Sequence, residues 1–198
     1  MGEAVPGAIF RWAAPLFAYQ ARRWSTDDAA AIGRFLQGFV IPGGSILDVG
    51  GGTGQLASLL ASETDCTVTI LDSSPQMLER ARSRVGVVPI LGDAASMPIA
   101  DGSFDAVVVC DAFHHFVRRD EAAEEMARVV RRGGAILVVE MDPRPLSARM
   151  TAAVERMLGE PGNFMSSQDM EALFNRLGVK GQAVPQGKTS YLFLGTRT

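Results

Sequence analysis

Two cysteines, Cys66 and Cys110, stand in 198 residues, far apart and each inside an apolar stretch. They cannot form a disulfide framework and point to a reducing compartment, the cytoplasm. Positive charge is scarce too. Nineteen Lys and Arg against 22 Asp and Glu leave a net charge of −3. Without an overall basic field to attract a phosphate backbone, nucleic acid is disfavoured as a partner. No uninterrupted apolar run reaches the roughly 18 residues of a membrane span, and no basic region followed by an apolar block and cleavage site opens the chain. Neither a transmembrane segment nor an export signal is expected. Repeats, low-complexity tracts and linkers are missing as well. What remains is 47% hydrophobic and 21% charged, a soluble globular mix long enough to build one core without disulfide or metal. A single domain over residues 1–198 is the expectation.

From residue 45 to 141, short β-branched apolar runs alternate with helical patterns. The strands are Ser45–Val49, Val68–Leu71, Val87–Leu91, Ala106–Cys110 and Ala135–Val139; the helices are Gln55–Ala61, Gln76–Arg84 and Glu121–Val130. Strands apolar on both faces and separated by helices predict an α/β, doubly wound, Rossmann-like parallel sheet with helices on both faces. Ser74-Pro75 reads as an N-cap and first-turn pair, and Arg131-Arg132-Gly133-Gly134 as a basic last helical turn with a glycine stop. Residues 1–40 carry an aromatic-rich segment, Ile9 to Trp24, and a helix over Thr26–Phe39 with Thr26 as its cap. In residues 142–198, Leu146–Leu158 and Ser167–Leu177 read as helices. Val179–Val184 and Ser190–Gly195 read as strands joined through Pro185-Gln186-Gly187.

The most informative stretch is Asp48-Val49-Gly50-Gly51-Gly52-Thr53-Gly54, where a strand enters a glycine cluster and a helix follows. Bare backbone at a helix N-terminus lets a nucleotide-like ligand lie against main chain. Two registers fit. Asp48-x-Gly50-x-Gly52-x-Gly54 suits an S-adenosylmethionine site, and Gly52-x-Gly54-x-x-Ala57 satisfies the dinucleotide fingerprint. An NAD(P)-dependent oxidoreductase is weakened by the absence of a Tyr-Lys pair four residues apart, since Arg23 and Gly195 follow Tyr19 and Tyr191 at that spacing. A non-catalytic S-adenosylmethionine-binding regulatory module is a further alternative. Downstream, Asp72 ends the second strand eighteen residues past Gly54, near the spacing at which a carboxylate meets ribose hydroxyls. Asp93 and Ala94 close the third strand, where a carboxylate beside a small residue can accept from an exocyclic amine.

Five motifs in this order resemble the class I S-adenosylmethionine-dependent methyltransferases, in the group with the ubiquinone/menaquinone-biosynthesis C-methyltransferases (type 11 methyltransferase domain). They are Leu-Asp-Val-Gly-Gly-Gly-Thr-Gly-Gln (47–55), Leu-Asp-Ser-Ser-Pro-Gln-Met-Leu (71–78), Gly-Asp-Ala-Ala-Ser-Met-Pro (92–98), Ser-Phe-Asp-Ala-Val (103–107) and Arg-Gly-Gly-Ala-Ile-Leu (132–137). The resemblance implies S-adenosyl-L-methionine as cofactor and S-adenosyl-L-homocysteine as product. It implies a cofactor site of Asp48, Gly50, Gly51, Gly52, Gly54, Asp72, Ser73, Met77, Asp93, Ala94 and Cys110. Within it, Asp72 would meet the ribose hydroxyls, Met77 an adenine face, Asp93 with Ala94 the adenine edge, and the Cys110 backbone the methionine portion. The resemblance also implies a seven-stranded sheet whose last strand, Ser190–Gly195, is antiparallel, and an N-terminal helical lid.

Methyl transfer from a sulfonium is an in-line displacement that needs alignment and exclusion of water more than acid catalysis. Beyond the fourth strand, Asp111, His114 and His115 are the candidate catalytic residues, because a neutral imidazole can take a proton from a phenolic or carbon acid. The motifs of DNA amine and cytosine methylation are missing, as is a clear magnesium-binding carboxylate set. A small apolar or aromatic acceptor, no metal, and contact with a membrane surface through the N-terminal aromatic segment at most are the resulting expectations.

Overall fold

The computed structural model describes residues 24–145, 153, 157, 163–187 and 189–198. The expected helix at Leu146–Leu158 and the segment from Ile9 to Arg23 lie outside the described residues, apart from Ala153 and Met157. The strands are β1 (Ser45–Val49), β2 (Thr67–Asp72), β3 (Val87–Leu91), β4 (Phe104–Cys110), β5 (Val130–Met141), β6 (Val179–Gln186) and β7 (Ser190–Arg197). The helices are α1 (Thr26–Leu36), α2 (Gln55–Thr64), α3 (Pro75–Ala81), α4 (Arg119–Val129) and α5 (Ser167–Arg176), with a short 3-10 turn at Phe113–His115.

One seven-stranded sheet runs β3-β2-β1-β4-β5-β7-β6. β1 to β5 are parallel, and β7 lies antiparallel between β5 and β6. Alternation along the strands divides the core between two faces. Leu47, Val49, Val107, Val109, Ile136 and Val138 join Met126 of α4 with Met170 and Phe174 of α5. Ile46, Val68, Ile70, Ala106, Val108 and Leu137 join Ile32 of α1, Leu60 of α2 and Leu78 of α3. Each such aliphatic side chain contributes about 1.5–3 kcal/mol on burial. That is why the central strands read as unbroken apolar runs rather than as alternation. From β1 the chain builds outward to β2 and β3, then returns to lay β4 on the other side of β1. The C-terminal ends of β1 and β4 therefore flank a topological switch point, where doubly wound sheets hold ligands.

Three local expectations need correction. The cap of α1 is Ser25, not Thr26: the Ser25 hydroxyl accepts from the Asp28 N–H and the Asp28 carboxylate accepts from the Ser25 N–H. This reciprocal pair satisfies two donors where a Thr26 cap would satisfy one. Arg131 and Arg132 are strand residues, because α4 ends at Val129 and Val130 already pairs with Phe104. Arg131 bonds Asp105 and the Phe39 carbonyl, so its partners come from distant segments and not from a helix C-terminus. The turn between β6 and β7 begins only at Gly187, since Pro185 and Gln186 pair with Tyr191 and Ser190.

Candidate functional site

β1 feeds straight into the glycine cluster, and the loop is fastened to the next strand by the Gly50 N–H donating to the Leu71 carbonyl at 2.7 Å. Gly50, Gly52 and Gly54 all take positive φ, and Gly54 occupies the N-cap of α2 in the left-handed region. The loop is tight below and open above. A Cβ on Gly51 would meet Ile70 Cγ2 at 2.6 Å and Asp48 Oδ2 at 2.9 Å, and one on Gly50 would meet Ala112 Cβ at 2.7 Å. A Cβ on Gly52 would meet nothing within 4 Å among the described residues. The bare main chain at Gly52 thus borders space that a ligand can fill.

Asp72, at the end of β2, is where the sequence expects it, one strand over from the loop. Its Oδ2 accepts from the Gly52 N–H at 2.9 Å and its Oδ1 from the Ser74 N–H at 2.8 Å. A carboxylate has about four lone-pair directions, so two remain for a vicinal diol. Burial raises the Asp72 pKa, and the bonds from Ser74 and Gly52 oppose that rise. Asp48 lies under the loop, 2% exposed, and its pKa is pushed up to about 7 by burial and by the charge of Asp72. Buried Asp48 and half-buried Asp72 lie close enough for their charges to interact, and such a pair favours a ligand that brings positive charge. Bare backbone, a braced carboxylate and a local excess of acid fit an adenosyl sulfonium.

The flanking residues divide. Ser74 caps α3, its hydroxyl accepting from the Met77 N–H at 3.3 Å, which sets half-buried Met77 in the first turn of the helix that follows Asp72. Ser73 is exposed and Ala94 half-buried. Asp93 is mostly exposed, with its carboxylate committed to the Ala95 N–H at 2.8 Å and to Arg118 Nη2 at 2.7 Å. Those bonds hold its pKa below the ordinary value. Arg118 was not foreseen as its partner.

Across the switch point, Cys110 closes β4 half-buried, and Asp111 adopts φ of 52°, its N–H donating to the Val139 carbonyl at 3.0 Å. The left-handed Asp111 turns the chain into the 3-10 turn that holds both histidines. His114 is buried and its Nδ1 lies 2.9 Å and 3.0 Å from the two carboxylate oxygens of Glu140. Its ring centroid is 4.0 Å from that of His115 and 4.3 Å from that of Phe164. Burial, and then the neighbouring His114, depress His115 to a pKa of about 3. Glu140 escaped the sequence reading, although a carboxylate at the end of Val138-Val139-Glu140 is a visible anomaly in a buried strand.

The methyltransferase domain family matches residues 47–138. Over 124 residues the chain is 38% identical to the methyltransferase GfsG of Streptomyces halstedii, covering 59% of this chain and 45% of that protein. Over 111 residues it is 38% identical to a demethylmenaquinone methyltransferase of Thermotoga maritima, covering 55% and 48%. The chain spans about half the length of these curated relatives. Among solved structures, a Thermotoga maritima S-adenosylmethionine-dependent methyltransferase described as a possible histamine N-methyltransferase superposes with a TM-score of 0.74 at 19% identity. That match covers 97% of this chain and 100% of that one, and at such identity it speaks for the fold.

Proposed function

We propose that the chain, whose residues 47–138 match the methyltransferase domain family, moves a methyl group from S-adenosyl-L-methionine to a small, apolar or aromatic acceptor. The observation that carries this reading is the open main chain at Gly52 beside the doubly braced carboxylate of Asp72. When bound, the cofactor supplies a methyl group on a sulfonium, whose sulfur departs as a neutral thioether. The residues of the chain bind, orient and exclude water. Asp72 takes the ribose hydroxyls with its remaining lone pairs, Met77 covers an adenine face, and Gly50, Gly51, Gly52 and Gly54 line the methionine and ribose portions. Asp48 lies buried beneath the loop, where a bound cation would favour its ionised form, and the backbone at Cys110 meets the methionine portion. Ala94 supplies the adenine edge, with Ser73 at its rim. Asp93 holds that edge through Arg118 and so shapes the wall.

The acceptor faces the end of β4, where Asp111, His114 and His115 follow. Because the named relatives include a demethylmenaquinone methyltransferase, phenols and hydroquinols head the acceptor classes. A metal-independent reaction in the cytoplasm, carried by one domain over residues 1–198, completes the proposal. No helix among the described residues is long and apolar enough to cross a membrane, and contact with a membrane surface would bring an apolar acceptor within reach.

Two experiments test the reading in order. Calorimetry should show binding of S-adenosylhomocysteine and no response to nicotinamide dinucleotides. Labelled-methyl transfer should then appear for at least one of a panel of phenols, short-chain 2-alkyl-1,4-naphthoquinols, amines and lipids. Cofactor binding with no transfer to any of them would overturn the small-molecule acceptor.

A further inference from the structure

Glu140 is fully buried near the C-terminal end of β5, where a lone carboxylate would be strongly disfavoured. It is satisfied from three directions. The Met141 N–H donates to Oε1 at 2.8 Å, the His114 N–H donates to Oε2 at 3.0 Å, and His114 Nδ1 lies 2.9 and 3.0 Å from the two oxygens. An ionised carboxylate accepts and does not donate, so the hydrogen of a neutral imidazole sits on Nδ1 and the lone pair on Nε2. The ring cannot swing freely, because His115 and Phe164 lie against it at 4.0 and 4.3 Å. The same turn abuts the glycine loop, since Ala112 stands where a Gly50 Cβ would be.

We propose that Glu140 is a positioning residue that fixes the tautomer and orientation of His114, making His114 rather than His115 the proton acceptor for a hydroxyl-bearing methyl acceptor. This inference rests on the methyltransferase reading above. In the step it serves, the acceptor's O–H bond breaks, its proton passes to His114 Nε2, and its electron pair stays on the acceptor oxygen. The negative charge so formed suits attack on a cationic methyl donor, and the proton later leaves to solvent. The histidines are not equivalent: with a pKa near 3, His115 holds a proton poorly at neutral pH, whereas a carboxylate stands behind His114 to stabilise the imidazolium. A purely structural tie between β5 and the 3-10 turn is the competing role, and it predicts different kinetics.

The test compares wild type with Glu140→Gln, His114→Gln, their double variant and His115→Asn. Calorimetry with S-adenosylhomocysteine runs beside turnover on whichever phenol or naphthoquinol the wild type methylates fastest. Turnover should fall roughly 10²- to 10⁴-fold in each of the first two variants, with cofactor affinity within about threefold of wild type. The double variant should be little worse than either single, as expected of residues acting as one unit, and His114→Gln should lose more than His115→Asn. The chain has two histidines, so nitrogen-15 ring spectra of the cofactor-free wild type contain two spin systems, and His115→Asn assigns them. His114 should carry its hydrogen on Nδ1. A hydrogen on Nε2, turnover that survives Glu140→Gln, or affinity and melting temperature that fall in step with turnover would each overturn the inference. Absence of methyl transfer by the wild type would instead sink the reading it rests on.

Discussion

At Gly51 and Gly52 the same small substitution separates folding from binding. Gly51→Ala drives a methyl group to within 2.6 Å of Ile70 Cγ2, and overpacking of this kind costs about 1–3 kcal/mol. A lowered unfolding midpoint in denaturant is the expected result. Among the described residues Gly52→Ala meets no neighbour within 4 Å and bears only the strain of φ at 54°, about 1 kcal/mol. That variant should stay folded while losing at least about tenfold in affinity for S-adenosylhomocysteine, because the new methyl occupies the ligand's side of the loop. Full affinity in folded Gly52→Ala would move the cofactor elsewhere. Asp72 is tested similarly. It braces the loop through Gly52 and Ser74, and its charge-assisted bonds to a diol are worth on the order of 1.5–3 kcal/mol. Asp72→Ala should therefore weaken S-adenosylhomocysteine by roughly ten- to a hundredfold in calorimetry.

Among the elements, α3 is a seven-residue helix, too short to stand without its cap and its docking. Leu78 and Ala81 hold it to the sheet, and Ser74 satisfies its Met77 N–H. Ser74→Ala should cost about 1 kcal/mol, seen as a melting temperature lower by roughly 2–4 °C. Since α3 also carries Met77, cofactor affinity should drop with it. An unchanged affinity would separate Met77 from the adenine. The element boundaries carry a related lesson. Ser74-Pro75 was legible because capping is a contact three residues long, whereas Arg131-Arg132 looks like a helix end until Asp105 and Phe39 are brought beside Arg131.

For the molecule as a whole, Asp48 and His115 set opposing pH dependences. Raised to about 7, Asp48 keeps its proton in the folded state when the unfolded chain has released it, so its contribution is complete below about pH 4 and is lost as pH rises through 7. Depressed to about 3, His115 stays neutral when the unfolded chain is protonated, so its contribution is complete above about pH 6.5 and is lost as pH falls through 3. Between about pH 4 and 6.5 the two slopes have opposite signs. Measured against wild type over that window, Asp48→Asn should lose stability progressively on acidification and His115→Asn should gain it. Calorimetric melting at half-unit intervals checks both; parallel curves for the two variants would refute the assignment.

The sequence alone determined the order of strands and helices, the glycine loop at the end of β1 and the carboxylate at the end of β2. Each is written in a few adjacent residues: apolar runs long enough to be strands, glycines where Cβ atoms cannot stand, an acid at a strand's end. Only the tertiary structure decided that Glu140 faces His114, that Asp93 turns to Arg118, and that buried Asp48 feels the charge of Asp72. The physical reason is the sheet itself. β1 through β5 bring residues twenty or more positions apart to within hydrogen-bonding reach, and the preference of a buried charge for a partner is settled by which strand end lies next to it.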